Sequence, residues 1–253
     1  MTKLVLNGCG GKMGRVIAAF AKERDDCEIV AGADARPPED DLGFPVFGSL
    51  LNISVPADVL VDFSHPSALT DVLRFAREKQ MPAVIATTGM SPAQIEEITA
   101  AAASLPLFFC ANMSLGINLL TELAKIAASV LGDQFDVEII EAHHNQKLDA
   151  PSGTALMLAD AISGVREKPT RYEYDRHSQR KKRDKQEIGI HSVRGGTIVG
   201  EHQVIFAGRD EILTLSHSAR SKEIFAVGAL GAAVFLKGRA PGLYTMADLV
   251  AQK

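Results

Sequence analysis

The run His143-His144-Asn145-Gln146-Lys147-Leu148-Asp149-Ala150-Pro151-Ser152-Gly153-Thr154 gathers an acid, an ammonium and an anion-binding turn in one stretch of chain. The ordinary pKa of histidine lets it give or take a proton near neutral pH, and Lys147 can neutralise charge that develops beside it. Ser152-Gly153-Thr154 opens the apolar run Ala155-Leu156-Met157-Leu158-Ala159, and backbone N–H groups at such a helix start can grip a carboxylate. Together these groups suit the addition of electrons and a proton to a small carboxylate-bearing molecule. A histidine pair also raises a metal ion, but adjacent residues at a strand end point apart and no third ligand is spaced to join them, so no metal is expected.

A second constellation lies at the amino end, where the short apolar strand Lys3-Leu4-Val5-Leu6-Asn7 runs into Gly8-Cys9-Gly10-Gly11-Lys12-Met13-Gly14. Gly8, Gly11 and Gly14 give a G-x-x-G-x-x-G spacing that lets backbone N–H groups approach a pyrophosphate at the start of the helix Arg15–Ala21. The next strand, Glu28–Ala33, ends at Asp34, about twenty residues on, where an acid bonds the ribose hydroxyls in dinucleotide folds. Lys12 and Arg36 suit a 2′-phosphate, so NADH and NADPH both stay open. The plainer alternative is a glycine-rich turn beside a solvated Asp34.

With these features the chain resembles the 4-hydroxy-tetrahydrodipicolinate reductase (dihydrodipicolinate reductase) family over nearly its whole length. Gly8–Arg15, Thr87-Thr88-Gly89, Ala111-Asn112-Met113-Ser114, Glu141–Thr154, Ser192–His202 and Phe225–Ala229 carry the likeness. The resemblance implies reduction of the hydroxylated cyclic imine to tetrahydrodipicolinate with NADH or NADPH, in lysine and diaminopimelate biosynthesis, by a homotetramer joined through sheets of the second domain. It implies His143 as proton donor and Lys147 as stabiliser of negative charge, with His144, Lys147, Ser152, Gly153 and Thr154 on the substrate. The implied cofactor residues are Gly8, Cys9, Gly10, Gly11, Lys12, Met13 and Asp34, with Ala86, Thr87, Thr88, Cys110, Ala111, Asn112 and Met113. Two positions depart from the family pattern: Ala86 stands where Gly is usual, and Ser221-Lys222 where Ser-Arg is common. Lysine keeps the charge without the bidentate fork.

The 253 residues, 46% of them hydrophobic and 23% charged, supply material for a large core. A net charge of −4 argues against nucleic acid as a partner. The three cysteines, Cys9, Cys27 and Cys110, offer no disulfide framework and fit a reducing compartment. No apolar run of membrane-spanning length and no leader are recognised, so the expected location is the cytoplasm, with no membrane partner.

Strands at Val59–Phe63, Ala83–Thr87 and Leu107–Cys110, with helices over 66–79 and 91–104, alternate as a parallel sheet with crossover helices requires. The fold expected is α/β: a Rossmann-type doubly wound parallel sheet in residues 1–114, completed by 223–253 through the apolar helix Ile224–Leu236. An α+β substrate-binding and oligomerisation domain with an open mixed sheet is expected over 115–222. It starts with a helix Leu115–Leu131 and a strand Val137–Glu141 that leaves both histidines just past its end. Strands 187–192, 197–207 and 211–219 read as antiparallel, with turns at Arg194-Gly195-Gly196 and Gly208-Arg209-Asp210.

Arg180-Lys181-Lys182-Arg183 invites a nucleic-acid or membrane patch, but Glu173, Asp175, Asp184 and Glu187 interleave with it, and a solvated mobile loop is the expectation. His65, His191, His202 and His217 read as structural or exposed. Cys110, at a strand end facing a nicotinamide, offers one other enzyme class, a thiol-dependent semialdehyde dehydrogenase, though no base can be assigned to it. A nicotinamide-binding sensor without turnover is the non-enzyme alternative.

Overall fold

The computed structural model describes residues 1–110 and 112–251. In chain order its elements begin β1 (Thr2–Asn7), α1 (Lys12–Ala21), β2 (Cys27–Ala33), β3 (Val46–Phe47), β4 (Val59–Asp62), α2 (Leu69–Lys79), β5 (Ala83–Ile85), α3 (Pro92–Ala101) and β6 (Pro106–Phe109). They continue α4 (Leu115–Leu131), β7 (Asp136–His143), α5 (Gly153–Val165), β8 (Arg171–Glu173), β9 (Glu187–Arg194), β10 (Gly200–Ala207) and β11 (Ile212–Ala219). The chain closes with α6 (Glu223–Leu236), β12 (Gly242–Tyr244) and α7 (Met246–Ala251). It divides into two compact units, Met1–Leu115 with Glu223–Lys253, and Gly116–Lys222.

The first unit is built on a seven-stranded sheet in the order β12-β6-β5-β4-β1-β2-β3, parallel throughout. Its central strands are short apolar runs because both faces are covered. Leu4, Leu6, Val59 and Val61 pack towards Ile17 of α1 and Ala229 and Leu230 of α6. Val5, Leu60 and Ile85 pack towards Val72 and Phe75 of α2 and Ile98 of α3. This is the doubly wound Rossmann arrangement, and the strand order reverses between β1 and β4. A crevice at the carboxyl ends of the strands belongs at that point.

The second unit carries a five-stranded sheet, β11-β10-β7-β9-β8. Strand β7 alternates strictly: Val137, Ile139, Glu141 and His143 are buried, while the residues between them are partly exposed. The buried face packs on Ile117, Leu120 and Ala124 of α4 and Leu158 and Ile162 of α5. The antiparallel reading holds for β10 with its neighbours β7 and β11 but not for β9, which runs parallel to β7. The cause is α5, which makes the β7–β9 connection a crossover and not a hairpin. Arg194-Gly195-Gly196 is accordingly no hairpin turn, since β9 and β10 flank β7. Pairing with β9 also extends β7, so His143 is its last residue, opposite Arg194.

Two further expectations change. The segment Leu115–Gln134 has the length and mean hydropathy, 1.4, of a membrane span, because a 3-10 turn prolongs α4. It nevertheless carries Glu122 and Lys125 and buries Ile117, Leu120 and Ala124 in the second unit. The basic stretch is tied down: Arg183 donates to Glu138 Oε1 (2.9 Å), Asp136 Oδ1 (3.2 Å) and the Val137 carbonyl (2.8 Å). Arg176, Arg171 and Lys181 converge on the buried Glu187. Of the interleaved acids Glu187 takes these cations, while Glu173 accepts from Gln179 Nε2 (2.9 Å) and Asp175 and Asp184 from backbone amides; part of the segment forms β8.

Candidate active site

In the first unit, β1 ends in the glycine turn. Gly8 has φ +79°, and a Cβ on it would lie 2.4 Å from the Phe63 carbonyl oxygen, so the turn needs glycine there. Gly14 is equally constrained, with the Gly8 oxygen 2.2 Å from where its Cβ would be. No side chain caps the start of α1 at Gly11, which leaves backbone donors and the positive end of the helix at the turn.

A cavity of about 360 Å³ is lined here by Gly8, Gly11, Asp34, Arg36 and residues after β4. A second, of about 440 Å³, is lined by Lys12, Met13, Ala86, Thr87, Thr88 and Met113, and the two share Gly11, Phe63 and Ser64. Asp34 accepts from the amides of Gly10 and Arg36, both at 2.9 Å, which fixes its carboxylate at the rim. The wall of the second cavity is anchored by Asp62, only 1% exposed, which accepts from Asn7 Nδ2 (2.7 Å), Ser64 Oγ (2.6 Å) and Thr87 Oγ1 (2.7 Å). Burial raises the Asp62 carboxyl above its usual range, against these three hydrogen bonds. A nucleotide fits this donor set: glycine amides and a helix start for phosphates, a carboxylate for hydroxyls, an apolar wall with hydroxyls for a ring.

Not every expected residue lines a cavity. Cys9 is fully buried beneath the turn, where burial and then Asp34 push its thiol up to about 11. Cys110 donates to the Asn112 carbonyl (3.0 Å), and burial raises its thiol too, the opposite of an activated nucleophile. Asn112 accepts from the Ser114 amide (2.9 Å). Ala111 lies outside the described residues.

In the second unit, His143 and Glu141 share the buried face of β7, and His143 Nδ1 donates to Glu141 Oε2 (2.6 Å). Glu141 is completely buried and accepts a bidentate pair from Arg194, 2.7 and 2.8 Å, and the Ser152 amide, 3.1 Å. Burial alone would raise this carboxylate; the hydrogen bonds, that from Arg194 the largest, bring it down to about 2. Glu141 therefore stays an acceptor, which places the proton of neutral His143 on Nδ1 and leaves Nε2 as the ring's acceptor nitrogen, beside Gly200. Burial lowers His143 below its ordinary value in spite of Glu141. His202 lies edge-on to His143 with ring centroids 5.2 Å apart, and Ser152 Oγ, which accepts from the Ala155 amide, is 3.1 Å from His202 Nε2. Burial, with His143 beside it, lowers His202 to about 4, so this ring stays neutral.

Lys147 pairs with Asp149 at 2.8 Å on the loop that leads to Ser152, the cap of α5; His144 is half-buried beside it, and Gly153 and Thr154 start the helix. The structure thus gathers His143, Lys147 and the Ser152 turn in one unit. Sequence reasoning missed three members of this site, Glu141, Arg194 and His202. The strand alternation was the available signal for Glu141, two residues before His143. Arg194 and His202 depend on the order of strands, which nothing local reveals. Among the described residues no group of three or more His, Cys, Asp or Glu side chains is gathered for a metal ion.

The family model described as "Dihydrodipicolinate reductase, N-terminus" matches residues 2–113, and "Dihydrodipicolinate reductase, C-terminus" matches 116–250. The chain is 52% identical over 250 residues to a 4-hydroxy-tetrahydrodipicolinate reductase of Caldanaerobacter subterraneus subsp. tengcongensis, covering 99% of this chain and 98% of the relative. It is 46% identical over 253 residues to that of Clostridium novyi, covering 100% of each. Among solved structures, dipicolinate-bound dihydrodipicolinate reductase from Paenisporosarcina sp. TG-14 superposes with a TM-score of 0.82 at 27% identity over 97% of both chains. By sequence over its full length and by fold, the chain belongs to the dihydrodipicolinate reductase family of pyridine-nucleotide-dependent reductases.

Proposed function

We propose that this protein reduces 4-hydroxy-tetrahydrodipicolinate to tetrahydrodipicolinate with NADH or NADPH, the ring hydroxyl leaving as water, in lysine and diaminopimelate biosynthesis. The observation that carries the reading is the His143–Glu141 pair, in one unit with Lys147 and the Ser152 turn, in a chain of this family. Residues 1–114 with 223–253 bind the dinucleotide. The glycine turn from Gly8 to Met13 holds the pyrophosphate, Asp34 the ribose hydroxyls, and Arg36 a 2′-phosphate when there is one. Ala86, Thr87, Thr88, Cys110, Ala111, Asn112 and Met113 form the nicotinamide wall. The reduced cofactor supplies a hydride when bound.

Residues 115–222 bind the substrate and build the oligomer. His144, Lys147 and the amides of Ser152, Gly153 and Thr154 hold its carboxylates, and Lys147 offsets the electron density that reduction leaves on the ring. His143 delivers the proton from Nε2, with Glu141 holding the opposite side of the imidazole and stabilising the charged ring. The exposed face of the second sheet joins protomers into a homotetramer, and the enzyme works in the cytoplasm.

The test is oxidation of NADH and NADPH in parallel, followed by absorbance, with freshly generated product of the condensation that precedes this step. Substrate-dependent oxidation is expected with both cofactors. Tight nucleotide binding without oxidation would overturn the reading and favour a sensor.

A further inference from the structure

Arg194 has no part in the chemistry described so far, although its side chain is largely buried and its fork closes on both oxygens of Glu141. Strand register makes this contact: Arg194 on β9 stands opposite His143, and Glu141 lies two residues back on the same face of β7. A further bond from Nη2 to the Asp149 carbonyl, 2.6 Å, fixes the guanidinium to the loop that carries Lys147. We propose that Arg194 is a positioning residue that sets, through Glu141, the proton affinity of His143. This rests on the reading of His143 as proton donor.

A carboxylate that faces an imidazole alone stabilises the imidazolium strongly, typically by one or more pKa units, and a donor that grips its proton transfers it poorly. A carboxylate already engaged by a guanidinium still accepts from Nδ1, so it orients the ring while its charge is largely compensated. Around His143 the titratable or charged groups are Glu141 from its own strand, Arg194 from β9, His202 from β10, and Lys147 with Asp149 from the following loop. The start of α5 acts on Glu141 through the Ser152 amide. Lys147 already has Asp149, and His202 is uncharged, which leaves Arg194 as the cation bonded to the carboxylate that holds His143. His143 lies below its ordinary value from burial first, with Lys147 and Arg194 adding to it against Glu141.

Replacing Arg194 by an uncharged residue removes the compensating charge and returns that of Glu141 to His143. The His143 pKa then rises by about one unit. The proton donor stays charged to higher pH, so the alkaline limb of kcat/KM moves up by the same amount. The experiment compares R194Q, R194M and R194K by ring-nitrogen NMR titration of His143 in the substrate-free protein, and by the pH profile of kcat/KM. R194Q and R194M are expected to raise the midpoint while the neutral ring keeps its proton on Nδ1, towards Glu141. R194K, which keeps the charge, is expected to shift the midpoint by less than half as much. An unmoved midpoint in both uncharged variants, or an equal shift in R194K, overturns the proposal. A midpoint that moves while the kinetic limb stays fixed upholds the effect of Arg194 on His143 and removes His143 as the proton donor.

Discussion

Asp62 in the first sheet and Glu141 in the second are both buried carboxylates near the carboxyl ends of their strands, yet their surroundings drive them in opposite directions. Asp62 is bonded by an amide and two hydroxyls, all neutral, and burial prevails, raising it. Glu141 has a guanidinium on both oxygens and an imidazole on one, and partners prevail, leaving it near 2. Burial sets the cost of a charge, and the partner decides whether the charge survives it. The difference matches the work proposed for each unit. Binding a nucleotide calls for fixed geometry at the ends of β1, β4 and β5, which Asp62 supplies by tying Asn7, Ser64 and Thr87 together. Moving a proton calls for a permanent anion behind the group that carries it.

The largest effect expected from this division is at the proton itself. His143→Ala or Lys147→Ala lowers turnover by roughly two or more orders of magnitude, while nucleotide affinity, measured by titration calorimetry, changes little. Near-normal turnover in both variants would break the assignment of proton chemistry to the second unit. A parallel loss of nucleotide affinity would show that the two units are not functionally separate.

The carboxylates can also be set against each other by stability. Glu141→Gln leaves Arg194 without its counter-charge and costs about 3–5 kcal/mol near neutral pH, whereas Asp62→Asn disturbs one neutral hydrogen-bond set and costs about 1–3 kcal/mol. Their pH dependences have opposite signs. A carboxylate held near 2, below its ordinary 4.5, contributes stability above pH 4.5 and loses that contribution as pH falls towards 2. The gap between the parent protein and Glu141→Gln therefore narrows in that window. A carboxyl raised above its ordinary 3.8 contributes fully below that pH and loses the contribution as pH rises through its folded value. The gap between the parent and Asp62→Asn therefore widens on acidification. Denaturant unfolding across pH checks both, and gaps that move in the same direction would refute the contrast.

How legible each region was from sequence follows from how local its constraints are. The first unit was readable strand by strand, because a parallel sheet covered on both faces writes itself as apolar runs and the turn after β1 needs glycine at Gly8 and Gly14. The short strands Val46–Phe47 and Gly242–Tyr244, at the two sheet edges, were missed for lack of a run long enough to read. In the second unit His143, Lys147 and Ser152 stand close in sequence and could be grouped. Glu141 has partners on β9 and in α5, and those contacts exist only once α5 has carried the chain across to lie parallel with β7. The same crossover explains why the charged segment 174–186 resembled a loose loop: its partners Asp136 and Glu138 lie on a strand about forty residues away.

The smallest effect probes the atom from which the proton is proposed to leave. Gly200 opens β10 beside the active ring, and a Cβ there would lie 3.2 Å from His143 Nε2 and 3.5 Å from Cδ2. The first distance is tighter than most side-chain contacts, so in Gly200→Ala the ring must move by a few tenths of an ångström. Glu141 holds the opposite nitrogen, so the ring pivots about Nδ1 and the displacement falls mainly on Nε2. Misplacement on the order of 1 Å costs about a hundredfold in rate, so a shift of this size lowers kcat by about two- to tenfold, with the thermal midpoint within about two degrees of the parent. If kcat is unchanged while NMR shows the ring displaced, the proton does not leave from Nε2. If instead Glu141→Gln with Gly200→Ala loses no more than Glu141→Gln alone, the pivot at Nδ1 is what made Nε2 sensitive to the added methyl group.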